Sequence, residues 1–467
     1  MFSYFCFASE IWIFTYLLFL IIFFSFFTGF VWRRQQTHYL DLTRWALFLS
    51  LFVVIILLIW GFSSFEVSCS FSFGLRFDYT SQIAKLVVLF LFCIYLIFLL
   101  QKDGAHLEFI LISLGFLLSS LLLLSANDLI ILFLLIDLQA ITLFFLISYD
   151  QTSMKSTEAA WKYFVLNGFA SSLILLGISF IFFGTKTIII QEMVGDKIFI
   201  ICGIFAFLLG YSAKLGIAPF HVWMVQIFEG VPFVSLPLLG PLSKIVQFSV
   251  MFFVFQTMIP EQFHVWFLFL GMLSVCISAA SMFGEDDLKR QVALFSVYSA
   301  GIVFLFLSTG HIYTWSFGFF YLIVSNSFLL VYLCLLSMVG RFKTVSSFSL
   351  LLQNNETLSI LFTILIISIL GLPPLVGFLP KFLLLYCLSD QLLLVYSSFF
   401  LISTLVIIFA FIWIVKVMFF SIQKTDFVQT VQVTSLSELC VLFVVGIMAV
   451  SFFQIFFSTA LFLTGGF

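Results

Sequence analysis

The sequence predicts an all-α polytopic membrane protein, and three observations carry that prediction. The 467 residues are 63% hydrophobic, with mean hydropathy +1.28. Apolar runs of about 20 residues, the length that crosses a bilayer as a helix, recur from end to end. Only 9% of residues are Asp, Glu, Lys or Arg, and most of those fall in short connectors. A soluble fold needs far more polar surface than this. Lipid offers a backbone no hydrogen bonds, so each span satisfies its own amides as a helix.

The runs place about fourteen spans. Those at 11–32, 44–63 and 82–101 form an N-terminal three-helix segment within 1–106. The next five, at 107–125, 128–149, 160–183, 197–223 and 231–255, form a first group within 107–255. Five more, at 263–284, 289–308, 312–339, 357–387 and 394–420, form a second within 263–420. The last, 437–463, lies in the C-terminal segment 421–467. The longest candidate loop is 64–81, with Glu66, Arg76 and Asp78.

Orientation follows from the basic residues. Arg33, Arg34 and Arg44 fall in the first connector, and Lys102, Lys155, Lys289, Arg290, Arg341, Lys343 and Lys424 in later odd-numbered ones. Even-numbered connectors hold chiefly Arg76, Lys186 and Lys197. The positive-inside rule puts the odd connectors on the matrix or cytoplasmic side and both termini opposite.

Two spans are punctuated. The seventh reads YSAKLGIAPFHVW, with Gly216 and Pro219 after Lys214. The twelfth reads ILGLPPLVGFLPKFLLL, with Gly371, Pro373, Pro374, Gly377 and Pro380 before Lys381. Proline removes an amide donor and clashes with the preceding turn, so both helices should break. Two broken helices five spans apart, each beside a lysine, suggest a repeat. An odd number of spans per repeat makes the two copies inverted.

A near-neutral chain, at net charge −2, is a poor ligand for nucleic acid. The eight cysteines form no CxxC pair, which argues against a disulfide framework or metal cluster. Neither a Walker A motif nor a dinucleotide fingerprint is present. The N-terminus MFSYFCFASEIWIF has no basic region of the kind that targeting peptides carry. The 70 Phe fit a T-rich organelle genome.

The working residues should be the charges inside spans, because a charge at lipid depth costs several kcal/mol unless paired, hydrated or neutralised. Lys214 sits one turn before a break, too deep to reach the interface. Asp137, inside the fifth span, needs a partner, and Lys214 or Lys162 can supply it. A protonated, hydrogen-bonded Asp137 that only fixes packing is the other reading. Lys244 follows Gly240 and Pro241 in the eighth span, and Lys381 follows the twelfth-span break. Lys162 lies nearer a span start, where snorkelling is the competing, lesser reading. His221 is either a bridge between Lys214 and Lys244 or a hydrogen-bonded interface residue. His264 and His311 lie near span ends, and Glu229 and the Lys289–Arg290 pair at loop positions where charges are usually solvated.

Several stretches carry a family likeness. They are LIDLQAITLFFLISY at 135–149, KSTEAAWKYFVLNGFASSLILLGISFIF at 155–182, AKLGIAPFHVWMVQIFEGVP at 213–232, PLSKIVQF at 241–248, DLKRQVALFSVYSAG at 287–301 and GLPPLVGFLPKF at 371–382. Together they resemble the antiporter-like membrane subunits of respiratory complex I, NADH:ubiquinone oxidoreductase, and among these the subunit 2 (chain 2) family. The resemblance implies a proton-translocating subunit of the enzyme, with no redox chemistry in the chain. FMN, iron–sulfur clusters and quinone are then expected in partner subunits. It implies as neighbours the antiporter-like subunit 4, the small subunit 4L and lipids. It implies the mitochondrial inner membrane ahead of a bacterial plasma membrane, with termini on the intermembrane-space side. Proton transfer would fall to Asp137, Lys162, Lys214, Lys244 and Lys381, with His221 alongside. Two positions depart from the pattern: Asp137 stands where the family usually has Glu, and Ser299 where a histidine is common. A multisubunit cation/proton antiporter subunit and a non-pumping scaffold are the competing readings.

Overall fold

The computed structural model describes residues 68–70, 75–77, 79–101, 107–190, 197–258, 261–310, 312–339, 344–345, 356–373, 375–390 and 394–420. The expected spans 11–32, 44–63 and 437–463 lie outside these residues. Each of the other eleven spans meets a helix or an interrupted helix. Eight of the described helices are long and apolar enough to cross a membrane. The chain is a multi-pass membrane protein.

Inside the expected loop 64–81 two short strands, β1 (Ser68–Ser70) and β2 (Leu75–Phe77), pair antiparallel with Cys69 opposite Arg76. The helices then follow as α1 (Tyr79–Gln101), α2 (Leu107–Leu123), α3 (Leu129–Ile147), α4 (Met154–Thr185), α5 (Lys197–Leu215) and α6 (Val222–Gly230). A wide turn at Leu238–Leu242, built around Pro241, leads into α7 (Ser243–Met258). After these come α8 (His264–Met282), α9 (Leu288–Ser308), α10 (Ile312–Val339), α11 (Glu356–Leu370), α12 (Phe378–Asp390) and α13 (Leu394–Phe420).

The chain divides into two compact units. The first comprises Met1–Leu215 and Gly230–Ile259, the second Gly216–Glu229 and Pro260–Phe467. In the first, α2 packs on α3, α3 on α4 and α4 on α5, while α7 packs on α1 and α2. Helices α4 and α5 approach closely. A Cβ on Gly177 would stand 2.5 Å from the Phe207 amide nitrogen, so only a residue without one fits. Lipid tails are as apolar as leucine, so membrane helices gain by close packing of small residues rather than by hydrophobic burial.

In the second unit α8 packs on α9 and α13, α9 on α10, and α10 on both α11 and α12. Helix α9 is buried along its length. Its serines hide their hydroxyls in their own helix: Ser296 donates to the Ala293 carbonyl at 2.6 Å and Ser299 to that of Ser296 at 2.9 Å.

Both punctuated spans are interrupted. One helix ends at Leu215 and the next begins at Val222; the other pair is separated by residues 371–377. Gly216 and Gly371 stand at φ +68° and +69°, the left-handed backbone that ends a helix and favours glycine. At Gly371 a Cβ would also lie 2.6 Å from the Gly377 carbonyl oxygen.

Candidate functional site

The first unit holds an ion pair inside the membrane spans. Asp137, two turns into α3, meets Lys214 in the last turn of α5, with Oδ1 2.7 Å from Nζ. The lysine side chain is 3% exposed and the carboxylate 30%. The carboxylate expected within reach of Lys214 or Lys162 is therefore on Lys214. Lys214 also sits at the carboxyl end of α5, where unpaired carbonyls favour a cation.

Lys162 lies elsewhere. Its Nζ is 2.6 Å from Oε1 of Glu158, one turn earlier on α4, with the lysine side chain 39% exposed and the glutamate 63%. An i,i+4 pair of this kind forms on the outer face of a helix. Lys244, in the first turn of α7, is 2% exposed. The Pro241 turn before it sets that helix start deep in the unit.

Two glutamines link the helices that carry Asp137, Lys214 and Lys244, and sequence reasoning missed both. The Tyr211 hydroxyl donates to the Gln247 carbonyl at 2.6 Å, linking α5 to α7. The Gln247 amide stands 3.5 Å from Oε1 of fully buried Gln139 on α3. The available signal was an amide within an apolar run, as in LIDLQAIT and KIVQF. A neutral amide does not draw attention as a charge does, yet it also needs a partner in lipid.

The second unit solves its lysine differently. Lys381, in the first turn of α12, donates to the carbonyl of Leu370, the last residue of α11, at 2.7 Å. The amine thus caps the helix before the interruption, at the negative end of its dipole. It also lies 5.4 Å from the ring centroid of Tyr298 on α9, within cation–π reach. So both lysines stand at the carboxyl end of the half-helix before a break, one held by a carboxylate and the other by a carbonyl and an aromatic face.

His221 falls within the first interruption, half-buried, and its Nδ1 has no hydrogen-bond partner among the described residues. His264 proves to be more than an interfacial side chain. Its Nδ1 lies 3.2 Å from the Leu307 carbonyl, tying the start of α8 to the end of α9. The charges expected to be merely solvated are paired too. Glu229, in the last turn of α6, accepts from Arg290 Nε at 2.9 Å and Nη2 at 2.7 Å. Lys289 adds a bond to the Glu229 carbonyl at 3.3 Å. Sequence distance hid this contact, because 61 residues separate the partners. Among the described residues, no group of three or more His, Cys, Asp or Glu is placed to hold a metal ion.

These features define a class: a polytopic membrane protein whose interrupted helices carry buried lysines, one of them ion-paired at lipid depth. Residues 126–406 match the family described as "NADH:quinone oxidoreductase/Mrp antiporter, TM", which is more than half of the chain, and the chain belongs to that family. Among curated relatives it is similar to NADH-quinone oxidoreductase subunit N of Pelagibacter ubique, at 28% identity over 68% of this chain and 70% of the relative. The Rickettsia conorii subunit N is 26% identical over 81% of this chain and 86% of its own length. In fold it is similar to a chain of respiratory complex I from Thermus thermophilus, with TM-score 0.76 and 21% identity over 92% of this chain and 95% of that one. A chain of the Mrp complex from Dietzia gives TM-score 0.77 at 15% identity over 90% and 82%.

Proposed function

We propose that this chain is a proton-translocating membrane-arm subunit of a NADH:quinone oxidoreductase, coupling redox chemistry in other subunits to proton movement. One observation carries this reading: the Asp137–Lys214 pair, an acid and an amine 2.7 Å apart inside membrane helices beside a helix interruption. Packing alone gives no reason to bear the desolvation cost of two charges when apolar residues would fill the space. A pair at 2.7 Å is instead a switch, because a charge or proton arriving nearby changes how tightly the lysine holds its own proton. In this reading the path runs from Asp137 and Lys214 to Lys244 and onward to Lys381. His221 serves in the interruption, and Lys162 is a peripheral group on α4.

The finer assignments belong to the same reading. The chain is the counterpart of subunit 2, and the curated relatives named subunit N support a complex I membrane-arm role. The element order supports two inverted repeats, since helix, helix, long helix, broken helix and single helix occur in that order twice. Asp137 is 30% exposed at a depth where lipid would otherwise meet its charge, which supports a protein neighbour on that face. The proposed neighbours are the antiporter-like subunit 4 and the small subunit 4L. FMN, iron–sulfur clusters and quinone lie in partner subunits. The membrane is the mitochondrial inner membrane, in keeping with the 70 Phe, and the termini face the intermembrane space.

A cation/proton antiporter subunit is the second reading, favoured by the shared family description and by the Mrp likeness in fold. Lys214→Met in the assembled complex separates the two. Coupled NADH–quinone activity is expected to fall severalfold while assembly is unchanged. Full activity in a correctly assembled variant would sink the reading, and sodium-dependent exchange in liposomes by the chain without partner subunits would favour the antiporter.

A further inference from the structure

The core helices of the second unit bury polar atoms that find no hydrogen-bond partner among the described residues. Among them are the hydroxyls of Tyr298 on α9 and Tyr321 on α10, and Oδ1 of Asn326 on α10. The two tyrosines are 0% and 2% exposed. A buried polar group left unsatisfied costs roughly 1–3 kcal/mol. The serines of the same helices avoid that cost by folding back onto their own turn, as Ser299 and Ser325 do at 2.9 and 2.8 Å. A phenol cannot do this, because its hydroxyl stands at the far end of a rigid ring that points away from its helix.

Lys381 is under-coordinated in the same way. An ammonium has three donors. Among the described residues one goes to the Leu370 carbonyl, and the amine otherwise faces the Tyr298 ring at 5.4 Å. The ring that Lys381 faces is thus the ring that carries the unpartnered hydroxyl, and both residues are buried. A water molecule satisfies both, since internal waters persist where two to four polar groups converge.

We propose that the Tyr298 hydroxyl holds an internal water against Lys381, making Tyr298 the positioning residue for proton exchange at that amine. The proposal rests on the proton-translocating reading. The water accepts from Nζ of Lys381 and bonds the Tyr298 hydroxyl, so the proton leaving the amine has an acceptor in place.

Tyr298→Phe deletes the hydroxyl and leaves the ring that packs at 6.0 Å on Phe295. Two measurements on the intact respiratory complex test the proposal. A high-resolution map of the wild-type complex should show a water within about 3.2 Å of the Tyr298 hydroxyl, and the Tyr298→Phe map should lack it. Coupled NADH–quinone activity of the assembled variant should fall severalfold. No water at that hydroxyl, or a Tyr298→Phe complex working at the wild-type rate, would overturn the assignment. If the variant does not assemble, the wild-type map alone decides. Lys381→Met runs in parallel: if it retains full activity, the proton-translocating role of the second unit fails with it. If Lys381→Met is inactive and Tyr298→Phe is not, the assignment of Tyr298 alone falls.

Discussion

Replacing Asp137 with Asn removes one charge from the buried pair and keeps the side-chain shape. Lys214, with a side chain 3% exposed, is then a charge without its carboxylate. Breaking a buried pair by removing one partner costs about 3–5 kcal/mol. Asp137 is 30% exposed, so solvation softens the loss toward the lower figure. About 3 kcal/mol corresponds to roughly 150-fold in the population of the charged, paired amine. If that species does the work, Asp137→Asn should lower coupled NADH–quinone activity at least tenfold (about 1.4 kcal/mol), with assembly retained. The check is a double-mutant cycle on purified complex with Asp137→Asn, Lys214→Met and both together, reading activity and assembled amount. Because the residues act as one unit, the second substitution should add little to the first, giving a coupling of about 1–3 kcal/mol. Effects that simply multiply, or a fully active Asp137→Asn complex, would refute the argument.

Two further substitutions test the framework around the site. Gly177→Leu forces α4 from α5 at a place where even a Cβ would stand 2.5 Å from the Phe207 amide nitrogen; overpacking of about 1–3 kcal/mol or more should reduce assembled complex, measured by native electrophoresis. Gly371→Ala places a side chain at φ +69° and against the Gly377 carbonyl, costing roughly 1–2 kcal/mol. It should displace the Leu370 carbonyl from Lys381 and lower activity more than assembly, and an unchanged rate would count against a role for that contact.

Hydropathy alone determined that the chain crosses the membrane and roughly where. Each of the eleven expected spans within the described residues met a helical element, because in lipid every backbone amide must be satisfied within its own segment. The two interruptions were legible for an equally local reason. Proline and glycine act on their own turn, so GIAP and GLPP announce a break wherever the segment packs. The charges at 137, 162, 214, 244 and 381 stood out because apolar runs carry few others. Which charges meet was decided by tertiary structure. Lys162 and Lys214 were equal partners for Asp137 by composition, and only the packing of the helices gave the acid to Lys214 and left Lys162 with Glu158. The Glu229–Arg290 pair and the Gln139–Gln247 contact span 61 and 108 residues, distances over which local periodicity carries no information. Tyr298 shows the same limit. A tyrosine in an apolar run reads as packing or lipid-facing surface, and only the burial of α9 and the approach of Lys381 leave its hydroxyl in need of a partner.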